Sequence, residues 1–164
     1  MSQFTDVLVV SPVADGKTGV IVRDFGYDVA AENSGDHIGV AIGFKTDFAT
    51  IPRLFWAILP KWGRYGNATV IHDWLYWTQT WPRREADAIL LETMGVLGVT
   101  PLMKNPMYWG VRLFGWLAWV RNQGGRASSF DRVLHDVSFK SVVRSERKGT
   151  FRQVATYALG PLRT

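Results

Sequence analysis

Apolar residues recur along this chain with two periods, and the change between them falls near Gly43. Before it, Val7-Leu8-Val9-Val10, Gly19-Val20-Ile21-Val22, Phe25-Gly26-Tyr27-Asp28-Val29 and Ile38-Gly39-Val40-Ala41-Ile42 are short runs rich in β-branched and aromatic residues. Ser11-Pro12, Asp15-Gly16 and Asn33-Ser34-Gly35-Asp36 separate them as turn clusters. The pattern predicts an antiparallel β meander over residues 4–42. No glycine-rich phosphate loop opens a helix there, which argues against a nucleotide-binding βαβ start.

After Gly43 the spacing becomes helical. Thr50 is placed to cap a short helix with Pro52 in its first turn, ended by Pro60. The spacing predicts a second helix over Asn67 to Trp77. Pro82 then introduces a third, Arg83 to Leu97, with Ala86, Leu90, Thr93, Met94 and Leu97 on one stripe and Gly98 as its stop. The short connection predicts that these two form an antiparallel hairpin. Pro101 to Pro106 reads as a linker before a Trp-rich helix, Met107 to Val120. Its 14 residues, interrupted by Arg112, fall short of the roughly 20 needed to span a bilayer. Core packing is one role for that helix, and an interfacial or partner-facing position is the other.

The expected architecture is therefore α+β: the N-terminal meander packed on the helical hairpin and the Trp-rich helix, followed by a basic C-terminal extension. Residues 1–120 form the expected globular domain, with β structure over 4–42 and helices over 50–120, and 121–164 form the basic arm. With 47% apolar residues and a length of 164, the chain can bury one core. Its net charge of +5 is uneven. From Arg121 onward nine Lys/Arg face three Asp/Glu, a balance of +6, whereas the first 120 residues carry ten against eleven, or −1. Arg121, Arg126, Arg132, Lys140, Arg144, Arg147, Lys148 and Arg152 are thus candidates to contact nucleic acid or anionic lipid. There is no cysteine, which excludes disulfides, thiolate metal sites and a thiol nucleophile. Met1 to Asp6 lacks the basic and apolar regions of a signal peptide.

Val70-Ile71-His72-Asp73-Trp74-Leu75-Tyr76 is where reactive residue types concentrate, and all eight tryptophans lie between Trp56 and Trp119 around it. On a helix His72 and Tyr76 share a face, while Asp73 is turned by about 100°. The hairpin would bring Asp87 opposite. A neutral imidazole held by a carboxylate acts as a general base, so His72 is the candidate base and Asp87 its orienting group. Asp73 is then available for a divalent cation, with Asp47 or loop carbonyls as further oxygen donors, a set suited to calcium or magnesium. Zinc would need His37 or His135 in addition. The same residues also fit a structural role, with Asp73 paired to Arg53 or Arg64, His72 a satisfied core histidine and Asp87 near a helix N-terminus. A serine nucleophile lacks its Gly-x-Ser-x-Gly elbow.

Four motifs in order, Gly43-Phe-Lys-Thr-Asp-Phe-Ala-Thr-Ile-Pro-Arg53, Trp62-Gly-Arg-Tyr-Gly-Asn-Ala68, His72-Asp-Trp-Leu-Tyr76 and Arg83-Arg-Glu-Ala-Asp87, resemble a family of tailed bacteriophages and prophages. It is the domain-of-unknown-function family numbered thirteen fifty-three, and the resemblance covers about Phe25 to Trp119. It implies a phage origin and a virion, tail or lysis role, without an assigned activity. A second, local resemblance is to secreted phospholipases A-two. It implies His72 as general base, Asp73 as calcium ligand, and Tyr76 and Asp87 as supports of the base. That family's disulfides and glycine-rich calcium loop have no counterpart here, and its His-to-Asp separation is longer than these 15 residues.

Two functions are expected on this basis. One is a virion-associated phage structural or accessory protein, made in the host cytoplasm and oligomeric, that binds neighbouring phage structural proteins. The other is a metal-assisted hydrolase with His72, Asp87 and Tyr76 in its catalytic site and Asp73 and Asp47 on a cation.

Overall fold

The computed structural model describes residues 2–13, 18–29, 36–47 and 65–134. The fold is α+β. Six short strands, β1 (Gln3–Phe4), β2 (Val10–Pro12), β3 (Gly19–Ile21), β4 (Phe25–Asp28), β5 (His37–Val40) and β6 (Lys45–Thr46), precede three helices, α1 (Gly66–Thr78), α2 (Arg83–Val96) and α3 (Pro101–Ala127). The helix expected from Thr50 to Pro60, together with Arg53, Arg64 and His135, lies outside the described residues.

All strand pairs are antiparallel, but the strands do not make one meander. They form two three-stranded sheets, ordered β1-β4-β5 and β2-β3-β6. The Val7–Val10 run enters a ladder only at Val10, with Leu8 and Val10 packed against the core and Val7 and Val9 exposed. β6 pairs with β3, and Phe44 bridges Val133 from beyond α3. Gly43 makes this join possible. Its φ of +88° is left-handed, and a Cβ there would lie 2.5 Å from the Leu134 carbonyl oxygen.

α1 is buried on almost every side, with Ala68, Thr69, Val70, Ile71, His72, Asp73, Leu75, Tyr76 and Trp77 all buried. A helix so enclosed must satisfy its polar side chains internally. Gln79, at φ 53°, ends it in the left-handed conformation, and Arg126 donates to the Trp77 and Thr78 carbonyls. α2 and α3 pack on α1, and the Tyr27 hydroxyl on β4 donates to Glu92 on α2 at 2.8 Å.

α3 is nearly twice its expected length. Thr100 is extended and Pro101 occupies the first turn, where its missing N–H costs nothing, so the stretch expected to be a linker starts the helix. Pro106 lies inside and forfeits one backbone bond. The helix also runs past Val120 to Ala127, and Lys45 N–H donates to the Arg132 carbonyl at 2.8 Å. The described chain beyond residue 120 is therefore joined to the β part rather than forming an arm that starts at 121.

Candidate functional site

Three helices contribute to one polar cluster inside this core. From α1, the four-residue spacing stacks His72 on Tyr76, with ring centroids 4.1 Å apart. From α2, Asp87 enters at the edge of the apolar stripe and is fully buried. His72 Nε2 lies 3.1 Å from Asp87 Oδ1, and the Tyr76 hydroxyl donates to the same oxygen at 2.6 Å. The other carboxylate oxygen accepts from Arg112 on α3 at 2.7 Å and from Arg83, one turn back on α2, at 3.4 Å. The hairpin thus brings His72 and Tyr76 onto Asp87, whereas Asp73 turns to Thr46.

The electrostatics favour an ionised Asp87. Burial alone would raise its pKa, but hydrogen bonds from His72, Tyr76 and Arg112 outweigh burial and hold the carboxyl below the ordinary carboxylate value. Tyr76 moves the opposite way: burial and its bond to the Asp87 anion push the phenol well above its usual value, so it stays a donor. Arg112 is held charged by the same carboxylate. An ionised carboxylate only accepts, so His72 donates through Nε2, and in the neutral tautomer the lone pair resides on Nδ1.

The cluster borders a cavity of about 190 Å³ whose wall includes His72, Tyr76, Asp73, Asp47, Arg121 and Arg132. A second recess of about 350 Å³ adjoins it, sharing Asp47, Arg121, Asn122 and Arg132 and adding Lys45. Asp73 accepts from Thr46 Oγ1 at 2.5 Å, and Asp47 pairs with Arg132 at 3.3 Å. The two carboxylates expected to bind a cation do face the same cavity. Among the described residues, however, no group of three or more His, Asp or Glu side chains is placed to hold a metal ion. A protein-held calcium site would need more donors than these two already engaged acids. His37 lies on β5, bonded to Asp28 at 2.8 Å.

Sequence reasoning missed Arg112, Thr46 and Gly115. The signal for Arg112 is a single cation inside an otherwise apolar helix. Gly115 lets α3 approach α1: a Cβ there would sit 2.5 Å from the Tyr76 hydroxyl. Gly115→Ala is therefore expected to push the phenol from Asp87 and to cost about 1–3 kcal/mol in denaturant unfolding. Tyr76→Phe removes the clashing oxygen, so the double variant should lose less than the sum of the two single losses.

A curated relative, described as "Uncharacterized protein y4jT" from Sinorhizobium fredii (strain NBRC 101917 / NGR234), is 32% identical over 94 residues. The match covers 56% of this chain and 27% of that protein, so the chain spans well under half of the relative's length. No solved structure matches significantly. The family described as "Protein of unknown function (DUF1353)" matches residues 20–111, from β3 through the middle of α3, and includes every helix-borne group around Asp87 except Arg112, the next residue. The chain belongs to that family.

Proposed function

We propose that this protein hydrolyses an ester, with His72 as the general base. The observation that carries the reading is a buried imidazole hydrogen-bonded to an ionised, otherwise saturated carboxylate at the wall of a cavity. In the proposed step His72 Nδ1 takes a proton from water as the water oxygen bonds to the ester carbonyl carbon. The tetrahedral intermediate then expels the alcohol oxygen, which receives that proton from the imidazolium. Asp87 fixes the tautomer and stabilises the imidazolium. Tyr76, Arg83 and Arg112 share its negative charge, so its main contribution is orientation. Arg121 and Arg132 supply positive charge where the oxyanion develops.

The test uses mixed micelles of phosphatidylglycerol and a soluble p-nitrophenyl ester, with the full chain, with and without calcium. His72→Ala should lower turnover by at least about 100-fold in protein that still unfolds cooperatively, with a midpoint lowered by the loss of the bond to Asp87. Inertness of the wild-type protein on both substrates, or His72→Ala turnover within a few-fold of it, would sink the reading.

A second reading, a particle component that binds neighbouring subunits, draws on the balance of +6 after Arg121. It expects the chain in purified particles by mass spectrometry, and its absence there removes it.

A further inference from the structure

We infer that the outward face of α3 seats on an anionic lipid surface, a role that goes beyond the hydrolase reading and does not rest on it. The residues α3 buries, Met107, Val111 and Asn122, fix which side faces the core. On the opposite side Leu102, Trp109, Leu113, Trp116, Leu117 and Val120 follow one another at helical spacing, and each exposes more than half of its surface. Pro106, Gly124 and Ala127 fall on the same stripe at about 100° per residue. A surface helix ordinarily turns charge outward. This one turns its most apolar stripe to solvent, which marks a surface that meets something apolar.

Charge selects the occupant. The 27 residues of α3 contain no acid, and their cations are Lys104, Arg112, Arg121 and Arg126. Arg121 flanks the stripe and, with Lys45 and Arg132, lines the recess next to it. An apolar face carrying two exposed indoles, Trp109 and Trp116, on a helix that holds cations and no acid, with Arg121 at its rim, matches a bilayer whose headgroups are negative. A second copy of the same face would set positive rim against positive rim. The stripe offers no side-chain hydrogen-bonding group except the Trp indoles, whereas a protein interface carries about one hydrogen bond per 100–200 Å². Among the described residues no helix is both long and apolar enough to cross a membrane, so the contact would lie in the plane of the surface. Phe114, Gly110 and Arg121 sit at the stripe's edge and also line the His72 cavity, so docking would hold that cavity beside the lipid.

The absence of cysteine allows a direct test. The full chain with Leu113→Cys, carrying a polarity-sensitive dye, is mixed with phosphatidylcholine vesicles with and without phosphatidylglycerol. The dye should report water in the free protein and shift to the blue on phosphatidylglycerol vesicles. Partitioning should exceed that on phosphatidylcholine at least tenfold at low salt and weaken as salt rises. Trp109→Ser with Leu117→Asp should reduce partitioning at least tenfold, as should Lys45→Glu with Arg121→Glu, while His72→Asn leaves it unchanged. Three results would each overturn the inference: a dye already in an apolar setting in the free monomer, meaning the chain covers its own face; a dimer by light scattering whose dye is shielded without vesicles; or no partitioning to anionic vesicles.

Discussion

Asp87→Ala is expected to destabilise the fold by about 3–5 kcal/mol, read as a fall in the denaturant midpoint at unchanged slope. The carboxylate itself contributes only part of that. Its removal strands three donors packed around it: the His72 Nε2–H, in a ring that is 2% exposed, the Tyr76 hydroxyl and the inner side of Arg112. Asp87→Asn keeps the shape and one acceptor oxygen, but its NH2 would face either the two guanidiniums or the Tyr76 hydroxyl. It should therefore recover little of the loss. Replacing Arg112 together with Asp87, as Arg112→Met with Asp87→Leu, should cost less than the sum of the single changes, because the buried charge leaves with its partner.

The same carboxylate sets a pH dependence. Its folded pKa lies below the unfolded value, so its contribution is complete above an ordinary carboxylate pKa of about 3.9 and is lost as pH falls through the lower folded value. Wild type should lose its advantage over Asp87→Asn only in that acidic window, and the gap should be flat from neutrality down to about pH 5. A gap that narrows well above pH 5 would mean that Asp87 is not held as an anion.

Much of this cluster was legible from helical geometry. His72 and Tyr76 share a face because they are four residues apart, and Asp87 falls beside Leu90 and Met94, so two periodicities and a short connection were enough to oppose them. What closed the cluster was not local. Arg112 reaches Asp87 from 25 residues away, and Thr46 reaches Asp73 from 27. No spacing rule encodes either contact. The sheets show the same limit from the other side. Gly19–Ile21 and Phe25–Asp28 were readable as strands, but their partners β6 and β1 are two residues long and carry almost no alternation of their own. Short edge strands are specified by the surface they join, which is why one meander was expected and two sheets are present. α3 was underestimated because Pro101 and Pro106 read as breakers, although the first sits where proline favours a helix start.

Phe44→Ala should match the loss at Asp87→Ala, at about 3–5 kcal/mol, for a different reason. Phe44 is wholly buried between the β part and α1, with its ring edge-on to Trp74 at 5.0 Å. Arg132 lies over the same ring, 5.6 Å from its centroid. Its backbone pairs with Ile21 on one side and Val133 on the other. Truncation leaves a cavity where three segments meet, and none can collapse inward without breaking a backbone pair. Thr46 and Asp47 follow within three residues, and Arg132 loses the ring beneath it, so the cavity wall opposite His72 should loosen as well. Hydrogen exchange reads this directly. Lys45 and Leu134 amides, which donate to Arg132 and Gly43, should lose protection in Phe44→Ala, while amides in the middle of α2 retain it up to the new global stability. Phe44→Leu restores most of the volume and should recover more than half of the stability, but not the ring contact with Arg132. If Lys45 and Leu134 keep their relative protection in Phe44→Ala, the ring is not what fastens the β part to the wall of the site.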